Sequence, residues 1–354
     1  METYHPALKT KLCALAGVDF PIVQPGMGWV SDGALTAATA QAGGLGIIGA
    51  ATMTLPELRD AILLVKSRTD RPFGVNLRSD APDVFERARL MTAQKVKVAG
   101  FALAPSEKLL KTLKDAGVVC IPSVGARRHA EKVAAWGADA VIVQGGEAGG
   151  HTGSIATTIL LPQIVDAVDI PVIAAGGFFD GRGLVAALSY GAAGIALGTR
   201  MLMTAESPVP DPVKAVYLEK GVGDTVVTDQ IDGHPHRVLR TPFIDRLVAA
   251  SGWRDLARAL ANAVALKRKT NLPYSAMIRQ GLAMRSQHDY SWRQVIMAAN
   301  TPTLLRRTMI DGEVEFGIIS GGQVTGLIAD IPTVEQLLKR VMAEATDTLN
   351  RFSM

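Results

Sequence analysis

Short runs of apolar residues recur every twenty to thirty residues over the first 200 positions, each followed by small or polar residues and a helical pattern. Continuous apolar runs that alternate with helices are typical of parallel strands buried on both faces. Eight such runs occur, at residues 21–24, 45–49, 73–77, 98–103, 118–123, 140–144, 172–175 and 194–198. They predict an α/β fold, a (β/α)8 TIM barrel; an open doubly wound sheet is the alternative.

Two segments between these runs carry clear helix-start signals. Thr54 is followed by a proline two residues later and by Glu57, a combination that caps the start of a helix. Asp180 precedes a second helical pattern, which Gly191 ends. We therefore predict helices that begin just after Thr54 and Asp180.

The pattern changes after Arg200. A proline-spaced run is followed by a polar, hairpin-like stretch from Asp224 to Leu239. Amphipathic helices are predicted at residues 243–269, 274–284 and 292–299. We expect residues 206–309 to form a mainly helical substrate or lid lobe after strand 8, over a barrel built from residues 1–205 and 310–354. The glycine-rich segment 317–327 either returns to the barrel and completes the ligand site or forms a plain turn.

Composition narrows the class of protein. The 354 residues are 48% hydrophobic and 20% charged, which is typical of a soluble globular chain, and the 5% of aromatic residues disfavours nucleic-acid binding. The amino terminus lacks signal-peptide features, no apolar window suits a membrane span, and the two cysteines have no metal-ligand spacing. We expect a cytoplasmic protein without a membrane partner, whose oligomeric state stays open, with a homo-oligomer as one candidate.

Positive charge is concentrated in one part of the chain. Twelve Lys and Arg residues lie between Arg240 and Arg307, against three acidic residues. Such a cluster either attracts an anionic ligand or forms a solvated helical face.

A glycine-rich loop that carries a histidine follows the sixth apolar run. Residues 144–153 contain five glycines and His151. Bare backbone lets a flat ligand or a phosphate approach closely, and the loop after a barrel strand is where such folds place their chemistry. His151 is the candidate acid or base, because its ordinary pKa lies near neutrality, and Glu147 either bonds the ring or caps the loop. His234 and His236 are too few to predict a metal site, so we favour a substrate-facing loop there.

Other strand ends supply the parts of a cofactor site. Gly176, Gly177, Gly198 and Thr199 follow the seventh and eighth runs, where barrels bind phosphate. The turn Pro25-Gly26-Met27 and the amides of Asn76 and Gln144 suit the edge of a planar ring. A flat ring with amide-like edges and a terminal phosphate describes FMN.

The chain resembles the nitronate monooxygenase family of FMN-dependent barrels. The resemblance lies in the loop 147–153, the strand 73–77, the turn 175–177 and Gly198-Thr199-Arg200. It implies FMN contacts at these positions: Gly26, Met27, Asn76, Gln144, Gly149, Gly150, Gly176, Gly177, Gly198, Thr199 and Gln323. It also implies that His151 is the catalytic base. The family includes enoyl-thioester reductases, so these motifs indicate fold and cofactor more firmly than reaction.

A closer resemblance extends over nearly the whole chain, to the FMN-dependent dehydrogenases of bacterial steroid C/D-ring degradation. The segments that carry it are 24–30, 101–105, 136–140, 176–183, 236–241 and 297–302. It implies oxidation of a hydroxyl on a bicyclic, steroid-derived acyl-CoA to the ketone, by hydride transfer to flavin N5, with NAD(H) as co-substrate. Lys267, Arg268 and Lys269 are then candidates for a clamp on the CoA phosphates. The alternatives are a nitronate monooxygenase, an enoyl-thioester reductase and a flavin-binding protein without turnover.

Overall fold

The structure is a computed structural model that describes residues 4–249, 301, 304–315 and 317–352. Its strands in chain order are β1 (Ile22–Gln24), β2 (Leu45–Gly49), β3 (Gly74–Leu77), β4 (Val98–Phe101), β5 (Val119–Val124), β6 (Val141–Gln144), β7 (Gly150–His151), β8 (Val172–Ala175), β9 (Gly194–Ala196), β10 (Thr225–Thr228) and β11 (His236–Leu239). The eight apolar runs become β1 to β6, β8 and β9, which close into one parallel barrel. The barrel prediction is confirmed, and the open-sheet alternative is wrong.

Closure occurs where β9 pairs in parallel with β1, with Ile22 opposite Ile195. Alternate strand residues point to opposite sides of the barrel wall, so neighbours along a strand enter separate clusters of buried side chains. Val23 and Ile47 belong to the cluster inside the barrel, whereas Ile22 and Ile48 belong to the larger cluster between the strands and the helices. This continuous burial on both faces explains why the strands read as unbroken apolar runs.

Helices surround the barrel. They are α1 (Lys11–Ala16), α2 (Gly33–Gln41), α3 (Leu55–Arg68), α4 (Val84–Ala93), α5 (Glu107–Asp115), α6 (Arg127–Ala135), α7 (Thr157–Val165), α8 (Gly181–Ser189), α9 (Thr199–Leu202), α10 (Asp211–Glu219), α11 (Pro242–Ala249) and α12 (Val334–Phe352). Of the helices within the described ranges, none has the length and apolar character needed to cross a membrane.

The predicted helix starts are confirmed. Thr54 and Glu57 form a capping box at α3, in which Glu57 Oε2 accepts a hydrogen bond of 2.7 Å from the Thr54 backbone N–H. Asp180 caps α8 by accepting a hydrogen bond of 3.0 Å from the Gly183 N–H. The last helix, α12, packs against α8 so closely that a Cβ atom on Gly181 would lie 2.3 Å from the Ala345 backbone nitrogen.

The segment after Arg200 contains a β-hairpin as well as helices. β10 and β11 pair antiparallel, with Thr225 opposite Leu239 and Thr228 opposite His236, which confirms the predicted hairpin. β11 also pairs with β7, which lies in the loop after β6. The hairpin is thus held directly against the mouth of the barrel.

The predicted helix from residue 243 is described as α11 over Pro242–Ala249. The rest of that helix, the predicted helices at 274–284 and 292–299, and Lys267, Arg268 and Lys269 lie outside the described residues. The division into a barrel and a helical lobe stays a prediction.

Candidate functional site

The residues predicted to bind a cofactor lie at one end of the barrel. All eight barrel strands run parallel, so their carboxyl ends meet at the same mouth. Around this mouth lie Gly26 and Met27 after β1, Asn76 in β3, Gln144 at the end of β6, Gly149 before β7, Gly150 and His151 in β7, Gly176 and Gly177 after β8, and Gly198 and Thr199 after β9. The fold therefore gathers residues that are up to about 170 positions apart in the sequence.

Close packing at the mouth explains why glycines occupy several positions there. A Cβ atom on Gly26 would lie 2.2 Å from Asn76 Cβ, and one on Gly100 would lie 2.9 Å from Asn76 Oδ1. The two glycines thereby leave the space that the Asn76 side chain fills. A Cβ atom on Gly198 would lie 3.8 Å from Met27 Sδ, so the turns after β1 and β9 are also adjacent.

The glycine-rich segment near the carboxyl terminus returns to the barrel. The Gly322 N–H donates to Thr199 Oγ1 at 3.0 Å, and the Gln323 N–H donates to the Glu147 carbonyl oxygen at 3.0 Å. A Cβ atom on Gly149 would lie 2.5 Å from the Gly321 carbonyl carbon, so the two segments touch backbone to backbone. Gln323 begins a short 3-10 helix beside the loop after β6, next to the other predicted contacts.

Glu147 caps a helix. Its carboxylate accepts hydrogen bonds from the Thr157 N–H at 3.0 and 3.1 Å and from Thr157 Oγ1 at 2.7 Å. Thr157 is the first residue of α7, whose own N-cap residue, Ala156, has no side-chain acceptor. Of the two roles expected for Glu147, the structure supports the capping role, which rigidifies the loop that carries His151.

His151, the predicted acid or base, lies exposed at the mouth of the barrel. Its side chain is 61% exposed, and its Nε2 lies 2.7 Å from Oδ2 of Asp232, whose side chain is only 11% exposed. Gln144 Nε2 donates to the backbone carbonyl oxygen of His151. The ring is therefore held by the hairpin loop, while its backbone is held by the end of β6.

His236 lies behind Asp232. It is opposite His151 in the pairing of β11 with β7, its side chain is 4% exposed, and its Nδ1 lies 3.8 Å from Asp232 Oδ2. Its other ring nitrogen, Nε2, lies 2.9 Å from Ser320 Oγ. Burial lowers the pKa of His236, so the neutral ring is favoured. Burial alone would raise the pKa of Asp232, but the hydrogen bond with His151 and the proximity of His236 hold it well below its usual range.

His151, Asp232 and His236 are also a set of potential metal ligands. Their nearest ligand atoms all lie within 4.8 Å of one another. The 2.7 Å separation of His151 and Asp232 is a hydrogen-bond distance. His234 and His236 alone were too few to predict a metal site. The fold brings His151 and Asp232 beside His236, whereas His234 lies exposed.

Arg237 ties the hairpin to the glycine-rich loop. Its Nη2 donates to the Gly146 carbonyl oxygen at 2.8 Å, and its Nη1 donates to Thr225 Oγ1 at 2.9 Å. Sequence reasoning assigned no role to Arg237, Asp232 or Ser320. The pattern Asp-Gly-His-Pro-His at residues 232–236 was the available signal, but its partner His151 lies 81 residues away from Asp232.

Few of the basic residues between Arg240 and Arg307 can be placed. Arg240 lies near Asp245 with an N to O distance of 3.3 Å, and Arg307 pairs with Glu313. These two cations already have acidic partners. The proposed phosphate clamp at 267–269 stays a prediction.

Known proteins resemble this chain along its whole length. The sequence profile of the nitronate monooxygenase family matches residues 9–92 and 85–344. The chain belongs to the nitronate monooxygenase family. The predicted resemblance is thereby confirmed, and so is the assignment as an oxidoreductase; FMN is the cofactor that membership of this family implies.

Individual proteins are similar to this chain over almost all of its length. A (3aS,4S,5R,7aS)-5-hydroxy-7a-methyl-1-oxo-octahydro-1H-indene-4-carboxyl-CoA dehydrogenase of Mycobacterium tuberculosis is 54% identical over 349 residues, covering 98% of both chains. A protein of the same name from Rhodococcus jostii is 54% identical, covering 96% of both chains. The solved structure of FabK from Thermotoga maritima has a TM-score of 0.80 and 34% identity, covering 97% of this chain and 98% of that one.

Proposed function

We propose that this chain is an FMN-dependent dehydrogenase that oxidises the hydroxyl group of a bicyclic, steroid-derived acyl-CoA to the ketone. The substrate is of the 5-hydroxy-methyl-oxo-octahydroindene-carboxyl-CoA type, within the degradation of steroid rings C and D. The observation that carries the proposal is the 54% identity to a dehydrogenase of this name over 98% of both chains. That match includes the segment after Arg200, whose β10–β11 hairpin pairs with β7 at the mouth of the barrel and is suited to contact a substrate.

The residues at the mouth suit FMN. Gly176 and Gly177 have φ angles of +96° and +84°, and a Cβ atom on Gly150 would meet no described atom within 4 Å. Bare backbone beside open space admits a planar ring and a phosphate. We propose that Gly26, Met27, Asn76 and Gln144 border the ring, and that the remaining predicted contacts, Gly149, Gly150, Gly176, Gly177, Gly198, Thr199 and Gln323, surround the rest of the cofactor.

His151 is the proposed base. When bound, FMN supplies the acceptor for the hydride that leaves the carbinol carbon. An alcohol releases hydride readily only as its hydroxyl proton leaves, so a base within hydrogen-bond reach is required. The ring of His151 is exposed, and one of its nitrogens is bonded to Asp232; no described residue bonds to its other nitrogen, which can take that proton.

Four further predictions come from the sequence. NAD(H) is the proposed co-substrate that exchanges electrons with the flavin, and Lys267, Arg268 and Lys269 are the proposed clamp on the CoA phosphates. A cytoplasmic location and a homo-oligomeric state stay predictions.

Anaerobic mixing tests the reaction. The FMN-loaded protein is mixed separately with the hydroxyacyl-CoA, with propionate 3-nitronate and with NADH, and the visible absorbance of oxidised flavin is followed. Bleaching by the hydroxyacyl-CoA supports the dehydrogenase. Bleaching by the nitronate alone, with oxygen consumption in air, would identify a nitronate monooxygenase. NADH consumption that depends on an enoyl thioester would identify an enoyl-thioester reductase. Failure of the protein to bind FMN would refute every hypothesis that assigns it a flavin-dependent function.

A further inference from the structure

We infer that Asp232 is a positioning residue for His151: its carboxylate fixes the ring in the tautomer whose Nδ1 is free to accept the substrate proton. The inference rests on the proposed function, because it assigns the proton of the carbinol to His151. It adds to that function a residue on the β10–β11 hairpin, outside the barrel itself.

The tautomer follows from the chemistry of the bonded pair. Asp232 Oδ2 lies 2.7 Å from His151 Nε2, and an ionised carboxylate can only accept hydrogen bonds. Nε2 must therefore carry the hydrogen, which leaves the lone pair of a neutral ring on Nδ1. In the proposed step the hydroxyl proton moves to Nδ1 while the C–H hydrogen leaves with its electron pair to the flavin. The imidazolium that results is stabilised by the adjacent negative charge of Asp232.

Asp232 is itself held in a fixed place. Its Oδ1 accepts a hydrogen bond of 3.2 Å from the His234 backbone N–H. Among the described residues, His236 Nδ1 has no hydrogen-bond partner, and it faces Asp232 Oδ2 at 3.8 Å. A negative carboxylate at that position favours hydrogen on Nδ1, so that His236 Nε2 accepts from Ser320 Oγ at 2.9 Å. A buried carboxylate is costly unless such partners surround it.

Three distant parts of the chain converge on this arrangement. His151 comes from the loop after β6, Asp232 and His236 from the hairpin, and Ser320 from the segment that returns to the barrel. Ser320 is fixed in turn by a bridge to Val238 and by a hydrogen bond from Tyr217 Oη to its carbonyl oxygen. An exposed surface ion pair does not require such supporting contacts. A base that must present one ring nitrogen in one direction requires them, because they fix its orientation.

Two histidine rings and one carboxylate in the described part of the chain lie close to the ring of His151. The ring of His236 lies 4.7 Å from that of His151 between centroids, and the exposed ring of His234 lies 6.1 Å away. Among the described residues, Asp232 is the carboxylate in contact with His151. Loss of its charge therefore removes the anion that stabilises protonated His151, while both neighbouring imidazoles remain.

The experiment compares Asp232→Asn with Asp229→Asn. Asp229 lies exposed in the same loop, where its carboxylate accepts a hydrogen bond from Gln230 at 2.9 Å, so it is a matched control. The protein, which has six histidines, is labelled with ¹⁵N-histidine, and ring-nitrogen NMR reports the tautomer, with His151→Asn identifying the His151 signals. A chelator is present throughout, so that no metal ion in the cluster affects the ring. Flavin reduction by the hydroxyacyl-CoA is measured anaerobically against pH, together with the affinity for FMN.

We expect His151 to be the Nε2–H tautomer in the unmodified protein and in Asp229→Asn. In Asp232→Asn this preference should be lost, and flavin reduction should slow by at least about 100-fold with a displaced pH profile and unchanged FMN affinity. A His151 tautomer that does not depend on Asp232, or reduction at the unmodified rate in Asp232→Asn, would overturn the inference. If the unmodified protein is not reduced by the hydroxyacyl-CoA, the proposed function fails, and the NMR comparison still decides whether Asp232 sets the tautomer.

Discussion

The contact between the glycine-rich loop and the returning segment can be tested by adding one methyl group. In Gly149→Ala, the new Cβ atom would lie 2.5 Å from the Gly321 carbonyl carbon and 2.6 Å from the Gly322 nitrogen. Nonbonded carbon atoms settle about 3.5 to 4.0 Å apart, so the two backbones must separate by about 1 Å. Both obstructing atoms belong to the main chain, and a side-chain rotation cannot relieve the overlap.

The size of the effect follows from what the separation disturbs. Overpacking of this kind costs about 1 to 3 kcal/mol. The hydrogen bonds from Gly322 to Thr199 and from Gln323 to Glu147 span the same contact at 3.0 Å each. If FMN binding requires the closed arrangement, its dissociation constant should rise by about 5- to 150-fold. The thermal midpoint of the apoprotein should fall by a few degrees.

Gly153→Ala is the matched control, because a Cβ atom there would meet no described atom within 4 Å. Both variants are stripped of flavin and titrated with FMN by the quenching of flavin fluorescence, and their thermal unfolding is recorded. Equal affinities and equal midpoints in the two variants would refute the view that this backbone contact builds the cofactor site.

Three further predictions concern the proposed base, the proposed CoA clamp and the pH dependence of stability. His151→Ala should slow flavin reduction by the hydroxyacyl-CoA at least about 100-fold while FMN still binds, with exposed His129→Ala as control; unimpaired reduction refutes His151 as base. Replacing Lys267, Arg268 and Lys269 by Ala should weaken CoA-thioester binding and reduce its salt dependence; unchanged affinity removes the clamp. Burial lowers the pKa of His236 in the folded protein, so below about pH 6.5 the unfolded state binds more protons than the folded state. The thermal midpoint should therefore decrease as the pH is lowered below that value. An equal fall in His236→Asn would contradict that assignment.

The barrel was readable from the sequence because its signals are local. A strand buried on both faces needs a continuous apolar run, and a helix start needs a cap such as Thr54 within a few residues. Strand ends were predicted less accurately: the run predicted at 194–198 forms a strand only over Gly194–Ala196. Leu197, the next residue, is also fully buried, in the cluster between the strands and the helices, so the apolar run continues past the end of β9.

In the candidate site, too, the residues that carry a local sequence pattern were predicted and the others were not. The glycines and His151 were recognisable because bare backbone after a buried strand is a local pattern, and family resemblance assigned them to FMN. Asp232 and Ser320 were not recognisable from the sequence, because neither lies in a distinctive local pattern. Asp232 meets His151 across 81 residues, and Ser320 meets His236 across 84. Local patterns in the sequence thus predict the barrel, its glycine-rich loops and the histidine. The carboxylate beside that histidine follows only from the pairing of β7 with β11, because that contact depends on distance in space.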